Sequence, residues 1–135
     1  MSELPALVTP FTLRGVTFPN RITLAPMCQY QADDGHPNAW HVAHHGRYAT
    51  SGIGCAIVEA TGISAEGRIS PGCPGIYTDS QIAAWREVTA LYRRPGRPVP
   101  VQINHPGRTA PTHPPWAGAR PPRPQDAQAA SRPRR

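Results

Sequence analysis

Lysine is missing altogether from this chain of 135 residues: all fourteen basic positions are arginine. Cysteine is sparse, and Cys28, Cys55 and Cys73 form an odd set with no CxxC spacing. That excludes a disulfide framework and a zinc ribbon and suits a reducing cytoplasm. Nowhere do about eighteen apolar residues follow one another. The opening Met1-Ser2-Glu3-Leu4-Pro5 also lacks a basic region leading into an apolar run, so neither a membrane span nor secretion is expected. His41, His44 and His45 share a helical face, but no carboxylate joins them as the glutamate of an HExxH site would. They read as surface or core histidines, and no metal is expected. Gly52 and Gly54 lack the third glycine of a dinucleotide fingerprint and precede a strand instead of following one, which argues against a Rossmann domain.

Proline, by contrast, is abundant at eighteen residues, crowded into the last third of the chain. There it removes backbone donors and forbids long helices. Most of the net charge of +6 gathers in the same place, as Arg120, Arg123, Arg132, Arg134 and Arg135 stand against Asp126 alone. Residues 119–135 are therefore expected to be a solvated, disordered tail, and residues 1–118 the folded part. The tail lacks interleaved aromatics, so no specific nucleic-acid binding is expected of it. Arginine, proline and alanine are also what a shifted reading frame yields in GC-rich DNA, and an accidental tail would have this composition.

The folded part alternates its periods. Residues 11–18 alternate apolar with polar around Gly15, the pattern of a small hairpin with one buried face. Ile22-Thr23-Leu24-Ala25 reads as a strand buried on both faces. Residues 31–38 are turn formers. Helical spacing then runs over residues 39–50, with Asn38 as its cap and Trp40, Val42, Ala43, Tyr48 and Ala49 available to a core. Residues 55–60 form a second strand candidate, and residues 61–77 a loop. Thr78-Asp79-Ser80-Gln81 fits a capping box, opening a helix in which Ile82, Trp85, Val88 and Leu91 recur and which Pro95-Gly96 ends. Residues 99–104 form a third strand candidate, weakened by Pro100. Strand, helix, strand, helix, strand is the grammar of crossovers and a parallel sheet.

Several segments, taken in order, resemble the old yellow enzyme family. They are Thr9-Pro10-Phe11-Thr12-Leu13, Asn20-Arg21-Ile22-Thr23-Leu24-Ala25-Pro26-Met27-Cys28-Gln29-Tyr30, Trp40-His41-Val42-Ala43-His44, Val58-Glu59-Ala60 with Gly67-Arg68-Ile69, Gln81-Ile82-Ala83-Ala84-Trp85, and Gln102-Ile103-Asn104-His105-Pro106-Gly107-Arg108. The cysteine after Pro26-Met27 is similar to the bacterial subgroup that carries cysteine beside the flavin. The resemblance implies the amino-terminal part of a TIM (β/α)8 barrel, with a hairpin covering its bottom and about three βα units. Chemistry in such barrels gathers at the carboxyl ends of the strands.

The resemblance also implies a site. Ala25, Pro26, Met27 and Cys28 after the first strand, Ala60 at the end of the second and Gln102 on the third would contact FMN, with Tyr30 on the substrate side. The Gln102 amide offers both donors and an acceptor to the flavin's pyrimidine edge, Ala60 is small enough for close approach, and the Cys28 thiol would tune the reduction potential. NAD(P)H is the implied reductant and an activated alkene the implied substrate. The family's substrate-polarising histidine pair, tyrosine proton donor, flavin-contacting arginine and phosphate loops are expected after the third strand, and residues 119–135 hold no counterpart. A truncated, inactive oxidoreductase is therefore expected. The alternatives are a noncatalytic fragment pairing through an open sheet edge and a basic nucleic-acid-associated module. Arg93-Arg94-Pro95-Gly96-Arg97-Pro98 departs from the family pattern and reads as a variable loop or a short sequence error.

Overall fold

The computed structural model of the chain describes residues 4–107. A 3-10 turn, Ala6–Val8, leads into a hairpin of β1 (Phe11–Leu13) and β2 (Val16–Phe18). Arg14 and Gly15, both at positive φ, form its two-residue turn, a geometry whose twist matches that of the strands. Phe11 stacks on Phe18 with ring centroids 4.7 Å apart, and Leu13 lies opposite Val16. The hairpin is as expected, but its apolar face is not buried. Leu13 and Val16 remain 59% and 45% exposed, because nothing among the described residues covers them.

There follow β3 (Thr23–Leu24), α1 (Ala39–Ala49), β4 (Cys55–Ala56), β5 (Val58–Gly62), α2 (Gln81–Arg93) and β6 (Val101–Asn104). β4 pairs with β3 and β5 with β6, both in parallel. Only Ile57 separates β4 from β5, and its N–H donates to the Leu24 carbonyl at 3.0 Å. The Ala56 and Val58 N–H groups donate to the opposite side, to the carbonyls of Pro98 and Pro100. Residues 55–62 thus act as one central strand between β3 and β6, three parallel strands in chain order with a helix in each crossover. Since the ladder takes only carbonyls from Pro98 and Pro100, the missing proline donors are no obstacle there.

On one side of the sheet, Ala49, Ala56 and Tyr92 form a core against which Leu24, Ile53, Leu91 and Val99 pack. The other side is open. Thr23 is exposed rather than buried on a two-faced strand, and Ile103 is 65% exposed. Three strands cannot enclose a barrel interior.

Both helices bury a different face from the one their apolar residues suggest. In α1 the buried positions are His41, His45 and Ala49, one face at a spacing of four, whereas Trp40 is 55% exposed. The histidines are held inside by specific polar partners. The expected Asn38 cap is present, accepting from the Trp40 N–H at 3.0 Å, and its own N–H donates to His41 Nδ1 at 3.1 Å. In α2 the buried positions are Gln81, Val88 and Tyr92, and Ile82 is 44% exposed. A strict spacing of three drifts by roughly 60° per step around a helix, so Ile82 and Leu91 fall on opposite sides. The expected capping box is half formed: Gln81 Oε1 accepts from the Tyr77 and Thr78 N–H groups, while Ser80 makes no side-chain cap bond. The segment after α2 forms an ordinary helix end. Gly96 sits at φ +65°, the Arg97 N–H donates to the Tyr92 carbonyl, and the Arg97 guanidinium donates to the Ala49 carbonyl. The division expected at residue 118, Arg108, and the arginine-rich tail lie outside the described residues.

Candidate functional site at the strand carboxyl ends

The chain leaving β3 runs through Ala25, Pro26, Met27 and Cys28 to Tyr30. Ala25 and Met27 are exposed, and Pro26, Cys28 and Tyr30 are half-buried. Gln29 pins this segment in three ways. Its N–H donates to Glu59 Oε2 at 2.8 Å, its amide nitrogen donates to the Met27 carbonyl at 2.8 Å, and its amide oxygen accepts from Trp40 Nε1 at 3.2 Å. Tyr30 then adopts φ +55°, a left-handed conformation uncommon for a non-glycine residue and held here by the surroundings.

A slip in register shapes the end of the central strand. Val58 pairs with Val101 and Thr61 with Ile103, so Glu59 and Ala60 together face the single residue Gln102. Such a bulge re-aims side chains and leaves one backbone group without a ladder partner. The Thr61 hydroxyl supplies that partner, donating to the Glu59 carbonyl at 2.8 Å. One extra residue therefore places Ala60 and Gln102 side by side across two strands while Glu59 reaches back to α1 and the Gln29 N–H.

Glu59 and His41 are 2% and 1% exposed, with His41 Nε2 3.4 Å from Glu59 Oε1. His41 Nδ1 lies 3.1 Å from both the Asn38 backbone nitrogen and Asn38 Oδ1, leaving Nε2 as the ring nitrogen that faces the carboxyl group. Burial pushes the Glu59 carboxyl up to about 8, against the opposing pull of the Gln29 and Tyr30 backbone N–H groups. Burial also pushes His41 down to about 4, so the imidazole is neutral at pH 7. His45 is lowered to about 4 for the same reason. Its Nδ1 lies 2.9 Å from the Tyr92 hydroxyl, which in turn donates to the His45 carbonyl. No group of three or more candidate metal ligands occurs among the described residues.

The neighbouring Cys73 thiol and burial push the Cys28 thiol up, with the Ala60 backbone opposing. The Cys73 thiol is lowered to about 6 by Cys28, Ser70 and the Arg68 charge, against burial. Desolvation raises Tyr30. Of the residues expected at the site, then, Gln102 lies across the bulge from Ala60, and Ala25, Pro26, Met27, Cys28 and Tyr30 share the one segment that leaves β3. The Gln102 amide makes no hydrogen bond among the described residues.

Glu59, His41 and Cys73 were not expected at the site. The signal for Glu59 was available: a carboxyl group in an otherwise apolar, fully covered strand requires buried partners. For Cys73 no local signal existed.

A parallel α/β sheet whose polar and reactive groups converge at the carboxyl ends of its strands defines a segment of an α/β enzyme. Residues 6–132 match the NADH:flavin oxidoreductase / NADH oxidase family, and the chain belongs to that family of oxidoreductases. It is 43% identical over 108 residues to an NADH:flavin oxidoreductase of Gibberella zeae, covering 80% of this chain and 26% of that protein. It is 41% identical over 104 residues to an NADPH dehydrogenase of a Geobacillus species, covering 76% of this chain and 31% of the relative. Among solved structures, morphinone reductase in complex with tetrahydroNAD superposes with a TM-score of 0.70 at 33% identity, over 79% of this chain and 29% of that one. The old yellow enzyme homologue from Zymomonas mobilis gives 0.71 at 34%, over 79% and 30%. The chain thus spans roughly a third or less of the length of these relatives.

Proposed function

We propose that this chain supplies the first βα units of an FMN-binding (β/α)8 barrel of the old yellow enzyme type, with residues 25–28, Ala60 and Gln102 along the flavin and Tyr30 toward the substrate. The observation that carries this reading is the bulge that sets Ala60 beside Gln102 across two neighbouring parallel strands. These residues fit the group. The Gln102 amide is exposed and unpaired among the described residues, so its two donors and one acceptor are free for a heterocycle edge. The Ala60 methyl lets a planar ring lie close to the backbone.

FMN, when bound, supplies hydride transfer from NAD(P)H to an activated alkene. The chain's own part is to hold and exclude. Glu59 fixes the Gln29 and Tyr30 N–H groups, keeping residues 25–28 in place, and the Cys28 thiol presents a polarizable group at the ring edge. On this reading residues 1–135 by themselves bind FMN weakly and turn over little, because the substrate-polarising pair, proton donor and phosphate loops that the resemblance implies after the third strand have no counterpart in residues 119–135. The three unpaired cysteines suit a reducing cytoplasm. Among the described residues no helix is long and apolar enough to cross a membrane.

The test is chemical-shift mapping of the isotope-labelled chain against FMN, which registers weak binding. Shifts clustered at Cys28, Ala60 and Gln102, reduced in Gln102→Leu, are expected. No shifts, or shifts elsewhere, would overturn the reading. A second reading, a noncatalytic fragment pairing through its sheet edge, draws on the 65% exposure of Ile103 on β6; it predicts concentration-dependent self-association abolished by Ile103→Lys.

A further inference from the structure

At the pole opposite the candidate site the strands begin and the helices end, and hydrogen bonds draw four segments together there. The Arg21 N–H donates to the Leu7 carbonyl at 2.9 Å, the Asn20 amide to the Gly52 carbonyl at 2.8 Å, and the Gly54 N–H to the Ile22 carbonyl at 2.9 Å. The ends of α1 and α2 are joined by the Tyr92 hydroxyl, 2.9 Å from His45 Nδ1, and by the Arg97 guanidinium, which donates to the Ala49 carbonyl. These bonds gather Arg21, Arg47, Arg93, Arg94 and Arg97 at one end of the fold. Segments 4–24, 45–57 and 89–101 contain no aspartate or glutamate. The described acidic residues stand elsewhere: Asp33, Asp34, Glu66 and Asp79 on the loops around the strand carboxyl ends, Glu59 in the interior and Glu87 midway along α2. Among the described residues none of the five arginines has an ion-pair partner. Arg21 and Arg47 lie over the Phe11 and Tyr48 rings at 5.3 and 4.8 Å, contacts that hold a guanidinium without neutralising it. The same pole exposes aliphatic side chains, Leu7 and Val8 on the 3-10 turn and Ile22 beside Arg21.

We propose that this pole docks peripherally on an anionic phospholipid surface, with the arginines against the phosphate headgroups and Leu7, Val8 and Ile22 at the boundary between headgroups and acyl chains. Charge selects an anionic partner, since the pole carries guanidinium groups and no carboxylate among the described residues. The exposed aliphatic side chains select a lipid. A nucleic acid would satisfy the arginines but leave Leu7, Val8 and Ile22 against sugar and phosphate, where stacking surfaces rather than aliphatic ones bind. A folded acidic protein must present its carboxylates at fixed positions, whereas lipid headgroups diffuse to meet arginines that come from separate segments. Guanidinium also matches phosphate through paired N–H donors. Stable attachment to a bilayer surface takes both signals together, a basic cluster and an apolar insertion. The mode is docking and not spanning, as no helix among the described residues is long and apolar enough to cross a membrane. Because the strands run from this pole to the other, a docked chain keeps its candidate site turned away from the bilayer. The inference does not rest on flavin binding.

The test is co-sedimentation of the full chain with vesicles of mixed phosphatidylglycerol and phosphatidylcholine, and with vesicles of phosphatidylcholine alone. Binding to the mixed vesicles only, weakened as sodium chloride rises from about 0.05 to 0.5 M, is expected. Arg93→Gln with Arg94→Gln should weaken binding roughly 30-fold, at about fivefold for each basic residue held near the surface. Leu7→Asn should weaken it several-fold at low and high salt alike, since the contact it removes is apolar. These three side chains are exposed, so thermal unfolding of the variants should match that of the wild type. Arg134→Gln with Arg135→Gln removes the same charge from another part of the sequence and should cost less than about threefold. Three results would overturn the proposal: no binding to the phosphatidylglycerol vesicles, equal losses from the two double substitutions, or an unchanged Leu7→Asn together with displacement of the chain from vesicles by a DNA duplex, which would mark attraction to any polyanion.

Discussion

Glu59 offers the sharpest test of how the site is held together. Its carboxyl group accepts from the Gln29 N–H at 2.8 Å and from the Tyr30 N–H, and it faces His41 Nε2 at 3.4 Å. Glu59→Ala leaves these donors without an acceptor in a water-poor place, at about 1–3 kcal/mol each. The structure can relax only in part, so a loss on the order of 2–4 kcal/mol is expected, or a drop in Tm on the order of 10–20 °C for a domain of this size. Glu59→Gln keeps the shape and separates charge from packing. Burial raises the folded-state pKa of Glu59 to about 8 from an ordinary 4.5. The folded chain therefore favours the protonated group: its benefit is complete below pH 4.5 and is lost as pH rises through the window to 8. Glutamine does not titrate. The stability of Glu59→Gln relative to wild type should improve as pH rises across that window, with a slope approaching one proton, about 1.4 kcal/mol per pH unit. His41 and His45 remain in both proteins and largely cancel in the difference. Urea denaturation of both proteins between pH 4.5 and 8 measures it; a flat difference would refute the assignment of Glu59 as a buried group of raised pKa.

The remaining expectations are shorter. Tyr92→Phe removes the hydroxyl that joins His45 Nδ1 to the His45 carbonyl in the core, and a loss of about 1–3 kcal/mol should appear in denaturant unfolding. Gly72→Ala drives a Cβ against the Tyr30 backbone, which cannot swing aside; it should lower Tm in thermal unfolding. His41 and His45, both lowered to about 4 by burial, favour the neutral folded form above pH 6.5. Replacing His45 with a neutral residue should remove part of the stability loss seen as pH falls from 6.5 to 4, read as a shallower acid limb of the unfolding curve.

Where local chemistry suffices, the sequence was legible. The hairpin around Gly15, the Asn38 cap and the strand, helix, strand order all appear at the expected places, because turn residues, caps and periodicity act over a few positions. The faces of the helices were less legible. Trp40 and Ile82 are large and apolar yet exposed, whereas His41, His45 and Gln81 are buried. Their polar partners come from residues far along the chain, so composition alone misplaces them. Thr23 and the hairpin face were expected to be covered, but a barrel covers its parts only with strands distant in sequence.

The candidate site divides in the same way. Residues 25–28, Tyr30, Ala60 and Gln102 were named through an ordered resemblance, and family membership followed from the same residues. The chain's order of strands and helices, its caps and its kinship were thus determined by sequence alone, because each is written in neighbouring residues. Only the folded arrangement decided that Glu59 and Ala60 share one partner across a bulge, that His41 closes on Glu59, and that Gly72 lets its loop press against the Tyr30 backbone. Those contacts depend on a register slip and on the close approach of two loops more than forty residues apart, distances along the chain over which no local pattern carries information.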